Sequence, residues 1–162
     1  MTKELIKSLT QVELIAQIKK YFSIKELVCP HTYKKFKDLS WQFYDRLQLE
    51  NILSLRTEII GIPMICNNWD SCGEYSQRGL RCNLCELSRV ATSQGKLYMS
   101  SHSNGAGNDF TAKGLAAETC RELIRTHIDK LPNPCRIEKD VTWLHIDCYN
   151  PGTDSKLIEF AG

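Results

Sequence analysis

A long apolar run is missing from this sequence. Nowhere in its 162 residues do the roughly 18 consecutive apolar side chains of a membrane-spanning helix occur. The opening stretch from Met1 to Ser8 interrupts its apolar residues with charges, so it lacks the apolar core of a secretory signal peptide. We therefore expect a chain that is cytoplasmic as synthesised and does not insert into a membrane.

A predominant charge is missing as well. The chain has 21 basic and 19 acidic side chains, a formal net charge of +2, and the two signs are mixed along the sequence. Nucleic-acid-binding domains usually carry a basic stripe or arm, so we do not expect nucleic acid as a partner. Repeats, low-complexity tracts and long linkers are also absent from the sequence. The length fits one domain with one core, and we predict a single domain over residues 1–162.

Cysteine, in contrast, is abundant, with residues at positions 29, 66, 72, 82, 85, 120, 135 and 148. In a chain without a secretion signal, thiols or metal ligands are expected rather than a disulfide framework. A second, structural zinc site could form from Cys66, Cys72, Cys82 and Cys85. The irregular spacing of these cysteines favours buried or incidental thiols instead. For His31 a metal role is open, but a loop residue is expected.

Patterns of apolar and capping residues predict the secondary structure. Helical spacing predicts helices over 10–22 and 114–128. Ser23 begins a capping-box pattern and would start a short helix, and Ser40 would cap a longer helix that Gly61 ends. Strands are predicted at 63–67, 97–100, 136–138, 143–149 and 157–160, with a tight loop over 101–109. These elements predict an α+β fold, in which a small, mostly antiparallel sheet carries the functional site and helices pack on one side.

Two segments concentrate side chains that bind metals. The first has the pattern S-x-H-x-x-G-x-x-x-D and contains His102 and Asp109, and the second has the pattern W-x-H-x-D and contains His145. Two imidazoles and a carboxylate suit zinc, and three protein ligands leave a fourth position for catalysis. The glycines between His102 and Asp109 would let the chain turn back towards one ion. Taken singly, each residue has an ordinary alternative: a hydrogen-bonded strand histidine, or an aspartate in a turn.

These two patterns, in this order, resemble the metal signature of the M15 family of zinc peptidases. That family includes D-Ala-D-Ala carboxypeptidases and phage endolysins that cut peptidoglycan peptides. Two upstream segments resemble the family as well: residues 21–29 contain F-S-x-x-E-L-x-C, and in residues 55–63 Leu-Arg is followed by Gly-Ile-Pro. The resemblance covers about residues 20–150. It implies the hedgehog/DD-peptidase fold and one zinc ion held by His102, Asp109 and His145.

The resemblance also implies roles for neighbouring residues. Arg81 lies in the region where the family places an arginine for the substrate carboxylate, and a solvent-facing loop arginine is the alternative. Ser100, two residues before His102, would orient substrate or ligand, or would bond only to backbone. Asp147 shares a strand face with His145 and is predicted to bond the other ring nitrogen of a metal ligand.

The general base is where the sequence departs most from the family. Many members place an acid three residues before the last histidine, where this chain has Thr142. Hedgehog-type members place their glutamate farther upstream, so the resemblance favours Glu138 as the base, and Asp140, in the presumed turn, is the second candidate. The alternative for Glu138 is a surface ion pair with Arg136 or Lys139.

The resemblance thus predicts a zinc-dependent hydrolase, either a carboxypeptidase or an endopeptidase, that acts on stem peptides or cross-links of peptidoglycan. A chain made without a secretion signal would act on the cell wall only after release, as a phage or prophage lysis protein does. Two alternatives stay open. One is a catalytically inactive, zinc-stabilised module that binds the cell wall or belongs to a virion, which the missing acid at Thr142 would fit. The other is a cysteine-rich regulatory domain.

Overall fold

The computed structural model describes residues 1–150 and 152–162. In these residues the α-helices are α1 (Lys3–Ser8), α2 (Gln11–Ile18), α3 (Ile24–Leu27), α4 (Pro30–Phe36), α5 (Arg46–Ser54), α6 (Glu86–Ser93) and α7 (Ala117–Thr126). Short 3-10 helices cover Lys37–Phe43, Trp69–Ser71, Ser101–Asn104 and Ile128–Lys130, and a π-helical turn, Leu55–Ile59, continues α5. The strands are β1 (Met64–Ile65), β2 (Gly107–Ala112), β3 (Cys135–Lys139), β4 (Leu144–Asp147) and β5 (Leu157–Ala161).

The capping box at Ser23 is confirmed. The Ser23 hydroxyl accepts from the backbone N–H of Glu26, and the Glu26 carboxylate accepts from the backbone N–H of Ser23 at 2.8 Å. Thr10 and Glu13 form a second capping box at the start of α2. Both boxes satisfy backbone donors that the first helical turn leaves free.

The prediction that Ser40 caps a long helix is wrong. Ser40 is buried inside the 3-10 helix, and Asp45 caps α5 instead, accepting from the Leu47 N–H at 2.8 Å. Tyr44 is buried and has an extended backbone, with φ −88° and ψ 135°, which breaks the helical path before Asp45. Gly61 ends the helical segment as predicted, at a φ of 73°.

The sheet is five-stranded and mixed, in the order β1-β2-β4-β3-β5. The first three neighbouring pairs are antiparallel, and β5 lies parallel to β3 at the edge. The predicted α+β class is confirmed, and the predicted mostly antiparallel sheet is a mixed one. The strands predicted at 136–138, 143–149 and 157–160 are found with small shifts in their ends.

The two faces of the sheet have different chemistry because side chains alternate along each strand. One face packs into the core with Phe110, Ile137, Leu144 and Ile146. Helix α7 packs on this face through its Cys120 and Ile124. Helix α5 reaches it through Gln48, which donates to Asn108 Oδ1 at 3.0 Å and to the Ile146 carbonyl at 3.1 Å. The opposite face carries acidic, basic and imidazole side chains, namely Asp109, Arg136, Glu138, His145 and Asp147.

Three other local predictions need correction. Residues 97–100 have no regular structure, although a strand was predicted there. The predicted loop over 101–109 is a 3-10 helix followed by the first residues of β2. Helix α6 was not predicted from the sequence. Across the residues described, no helix combines the length and apolar character needed to cross a membrane.

Candidate metal centre

His102 is placed by a short turn whose ends are fixed by its neighbours. The Ser100 hydroxyl caps the turn by accepting from the Ser103 N–H at 3.3 Å. Gly105 ends it with a φ of 68°, and a Cβ at this position would collide with the Phe43 carbonyl. Only glycine fits both the left-handed backbone and the close approach.

Replacing Gly105 with alanine is expected to destabilise the protein by at least about 2 kcal/mol, since left-handed backbone alone costs an alanine roughly 1–2 kcal/mol and the clash adds to it. Gly114 is the matched control, because its φ is 79° but no atom lies within 4 Å of a Cβ there. Gly114→Ala should therefore cost only the backbone term. Denaturant unfolding of both variants measures the difference, and equal losses of stability would contradict the claim of a close approach at Gly105.

Asp109 and His145 face each other across neighbouring strands. They form a register pair of the antiparallel β2–β4 ladder, so their side chains leave the sheet side by side. His102 reaches the same face from its turn. The structure thus brings together the three residues predicted as metal ligands.

The three side chains meet at short range and out of solvent. His145 Nδ1 lies 2.7 Å from Asp109 Oδ1, and His102 Nε2 lies 3.4 Å from the same oxygen. Their ligand atoms all lie within 4.8 Å of one another, and the exposed fractions of the residues are 4–6%. Ligands about 2.0–2.2 Å from a tetrahedral zinc lie roughly 3.3–3.6 Å apart. The residues present therefore fit a metal ion after small adjustments of side-chain position.

The remaining ring nitrogen of each histidine is already engaged. His102 Nδ1 lies 3.0 Å from the Gly79 carbonyl, and His145 Nε2 lies 3.0 Å from Asp147 Oδ2. Arg136 donates twice to Asp147, at 2.9 and 2.8 Å. When His102 Nδ1 and His145 Nε2 carry the ring protons, His102 Nε2 and His145 Nδ1 have lone pairs directed at the point between the three side chains.

The electrostatics of the centre favour negative carboxylates. Burial alone would lower the pKa of His145, but its hydrogen bonds to Asp109 and Asp147 outweigh burial and raise that pKa to about 9. Burial would raise the pKa of Asp109, yet hydrogen bonds from His102 and His145 hold it well below its ordinary value. The pKa of Asp147 is also lowered against burial, by His145 and Arg136. A divalent cation competes with the His145 proton for these groups.

Arg81 lies beside the centre. Its Nη2 is 3.3 Å from Asp109 Oδ2, its Nη1 donates to the Tyr98 hydroxyl at 2.9 Å, and its side chain is 13% exposed. Its backbone N–H donates to the His102 carbonyl at 3.1 Å. Arg78, the other loop arginine, instead donates to Thr111 and stacks on a tyrosine ring.

A cleft of about 490 Å³ opens above the three residues. Its wall includes Arg81, Ser100, Glu138, Trp143, Tyr149 and Phe160. Glu138 projects from the same sheet face as His145, and its Oε1 lies against Gly162 at the end of the chain. Asp140 is exposed in the turn after β3, with a φ of 61°, and is not part of the cleft wall. The geometry therefore favours Glu138 over Asp140 as a group that can reach the cleft.

Sequence reasoning missed several residues around the centre. Arg136 was considered only as an ion-pair partner of Glu138, but it binds Asp147. Strand alternation contained the signal, because Arg136 lies two residues before Glu138 and therefore on the same face. Tyr149 and Phe160 also line the cleft. Alternation within the predicted strand 143–149 contained the same signal for Tyr149, which lies two residues past Asp147, whereas Phe160 comes from the edge strand and had no such signal.

A second group of residues that could hold a metal ion lies elsewhere, formed by Cys29, His31, Cys82 and Cys85. It differs from the four-cysteine set considered from the sequence. Cys66 is buried at the core side, where Asn108 contacts its sulfur at 3.6 Å, and Cys72 is exposed.

Comparison with family models, with curated proteins and with solved structures gave no match to this chain.

Proposed function

We propose that this chain is a zinc-dependent peptidase of the M15 type that hydrolyses peptide bonds in peptidoglycan. The observation that carries the proposal is the convergence of His102, Asp109 and His145 on one buried point at the floor of an open cleft. The order and spacing of the two motifs, which resemble the M15 signature, add support. The hedgehog/DD-peptidase fold is part of the same proposal, and an α+β chain with a five-stranded sheet is compatible with it.

The donor set favours zinc over other divalent ions. Two imidazole nitrogens and one carboxylate oxygen suit zinc, whereas magnesium and calcium prefer oxygen ligands throughout. Three protein ligands are typical of catalytic rather than structural zinc. When bound, the ion would supply Lewis-acid activation of water and of a peptide carbonyl.

Glu138 is the proposed general base. It stands on the face of the sheet that carries His145 and lines the cleft, and a carboxylate there can accept a proton from the attacking water. The same carboxyl group would then return the proton to the leaving amine. Trp143, Tyr149 and Phe160 supply flat walls along which a peptide can lie.

Arg81 is the proposed anchor for a substrate carboxylate. One of its N–H groups is used by Asp109 and another by the Tyr98 hydroxyl, and its Nε bonds the Gln77 carbonyl. A guanidinium has five N–H donors, so two remain for a carboxylate in the cleft. Stem peptides of peptidoglycan are rich in carboxylates, which fits an arginine at this place.

Chelation tests the proposal directly. Purified protein should release soluble peptide fragments from isolated peptidoglycan, lose this activity when zinc is chelated, and regain it when zinc is returned. Mass spectrometry of the released muropeptides would identify the bond that is cut. If zinc-loaded protein leaves peptidoglycan unchanged, the proposed activity is wrong.

Asp147→Asn is expected to raise the zinc concentration needed for half-maximal digestion about 10- to 100-fold. The change removes the negative charge of the Asp147 carboxylate. This carboxylate orients the His145 ring through Nε2 and forms an ion pair with Arg136. Asp154→Asn, in an exposed loop, is the matched control. An unaltered zinc requirement in Asp147→Asn would show that this contact does not tune the centre.

A second function has one observation in its favour. Thr142 stands where many M15 enzymes carry an acid, and it is exposed in the turn before β4. A zinc-stabilised module that binds the cell wall without cutting it fits this residue. Such a module would bind zinc and sediment with peptidoglycan but release no fragments.

A further inference from the structure

Two distant segments bring three thiols and one imidazole together, away from the proposed catalytic centre. Cys29 and His31 lie at the start of α4, and Cys82 and Cys85 lie just before α6. The four ligand atoms all lie within 4.8 Å of one another. Cys29 and Cys85 are the N-cap residues of their helices, and neither sulfur makes a capping bond to a backbone N–H. The Cys29 sulfur lies 3.2 Å from the Thr32 hydroxyl, and a metal-bound thiolate can accept a hydrogen bond from that hydroxyl.

The spacing of these atoms matches a tetrahedral ion. Cys29 Sγ lies 3.6 Å from Cys82 Sγ, Cys82 Sγ lies 4.0 Å from Cys85 Sγ, and Cys85 Sγ lies 3.9 Å from His31 Nδ1. Zinc–sulfur bonds of about 2.3 Å in a tetrahedron place the sulfurs roughly 3.8 Å apart. The sulfur–sulfur distances of 3.6 and 4.0 Å are also far longer than the roughly 2.05 Å of a disulfide bond, and all three cysteines are free.

The group runs from the protein interior to the surface, unlike cysteines that only fill the core. Cys29 and Cys85 are buried, Cys82 is half-buried, and His31 is exposed. An ion can therefore enter from the side of His31, while the two buried thiols shield it from solvent on the other side. Three thiolates and one imidazole form a closed ligand set, which is typical of structural zinc.

We propose that Cys29, His31, Cys82 and Cys85 bind a second, structural zinc ion. The ion would link the segment around Cys29 to the loop that ends at Cys85. Next to it, the backbones of these segments already meet, with Cys29 N–H donating to the Leu80 carbonyl at 2.9 Å and Leu80 N–H donating to the Leu27 carbonyl at 2.8 Å. The ion would add a link to a contact that is otherwise held by the bridge between Val28 and Leu80 and by the Tyr44 hydroxyl, which donates to the Leu27 carbonyl and accepts from the Leu80 N–H.

The linked loop also serves the first centre. Gly79 offers the carbonyl that fixes the His102 ring, and Arg81 follows two residues later with its side chain on Asp109. Both lie within six residues of Cys85 in the sequence. The structural ion would thus hold in place the loop that orients His102 and carries Arg81, the proposed substrate anchor.

Metal content and cobalt absorption of the full chain test this proposal. The wild-type protein should bind two zinc ions, and its cobalt form should show intense thiolate-to-cobalt charge-transfer absorption. Cys82→Ser should lose one ion and this absorption, while His102→Ala should lose one ion and keep the absorption. Cys72→Ser is the matched control, because Cys72 is exposed and outside the group, and it should keep both ions.

Several results would overturn the proposal. If the cobalt form of the wild-type protein shows no thiolate–cobalt absorption, the site is ruled out without the need for a variant. The same holds if the fully reduced protein binds no metal at these cysteines. Retention of the absorption in Cys82→Ser, or its loss in Cys72→Ser, rules out the assigned ligands. The outcome is separate from the proposed peptidase activity, because thiolate absorption reports only the cysteine group.

Discussion

His102→Ala is expected to abolish peptidoglycan digestion and to remove one metal ion per chain. The residue is 4% exposed and its Nε2 lies 3.4 Å from Asp109 Oδ1, so the variant leaves the centre with two of its three ligands. A bound metal ion contributes several kcal/mol to catalysis, which corresponds to a loss of roughly 1000-fold or more. Digestion rates and metal analysis of the purified variant measure both effects.

His127→Ala is the matched control for this experiment. His127 is a half-buried residue at the end of α7, outside both groups that could hold a metal. It should keep full activity and full metal content. Near-normal digestion by His102→Ala, with the fold intact by circular dichroism, would remove His102 from the proposed centre.

Glu138→Gln is expected to lower the rate of digestion about 100- to 10,000-fold, which is the usual contribution of a positioned general base. The amide is nearly the same size as the carboxylate but does not accept a proton from water. Glu138 is not among the residues that form the metal group, so the variant should retain its metal. The combination of lost rate and retained metal separates a base from a ligand.

Two further substitutions sharpen this prediction. Asp140→Asn should have little effect, because Asp140 is exposed in a turn and does not line the cleft. Glu122→Gln, on the exposed side of α7, controls for the loss of a charge alone. A large loss of rate in Asp140→Asn, with Glu138→Gln unaffected, would reverse the assignment of the base.

Local patterns predicted those parts of the fold that depend on nearby residues. The capping box at Ser23 and the stop at Gly61 are set by side chains within a few positions, and both are confirmed. The strands containing Glu138 and His145 were also found, because alternation and β-branched residues mark them. The meeting of His102, Asp109 and His145 was expected because the motif resemblance implied it, not because spacing alone required it.

Other features depend on contacts between distant segments, which a single sequence does not reveal. At the break before α5, the buried Tyr44 donates its hydroxyl to the Leu27 carbonyl and accepts from the Asn108 amide, so its partners come from distant segments. The cysteine group joins two segments about 50 residues apart, and the nearer cysteines at 66 and 72 were considered in place of Cys29 and His31. Only the fold shows that the bridge between Val28 and Leu80 draws these segments together.

The proposed peptidase activity depends on one zinc ion bound between His102, Asp109 and His145. Anomalous diffraction at the zinc edge, on crystals grown with zinc, tests it most directly. We expect a peak within about 2.0–2.2 Å of His102 Nε2, Asp109 Oδ1 and His145 Nδ1. Zinc-replete crystals with no peak at this place, whatever is seen at the cysteines, would contradict it.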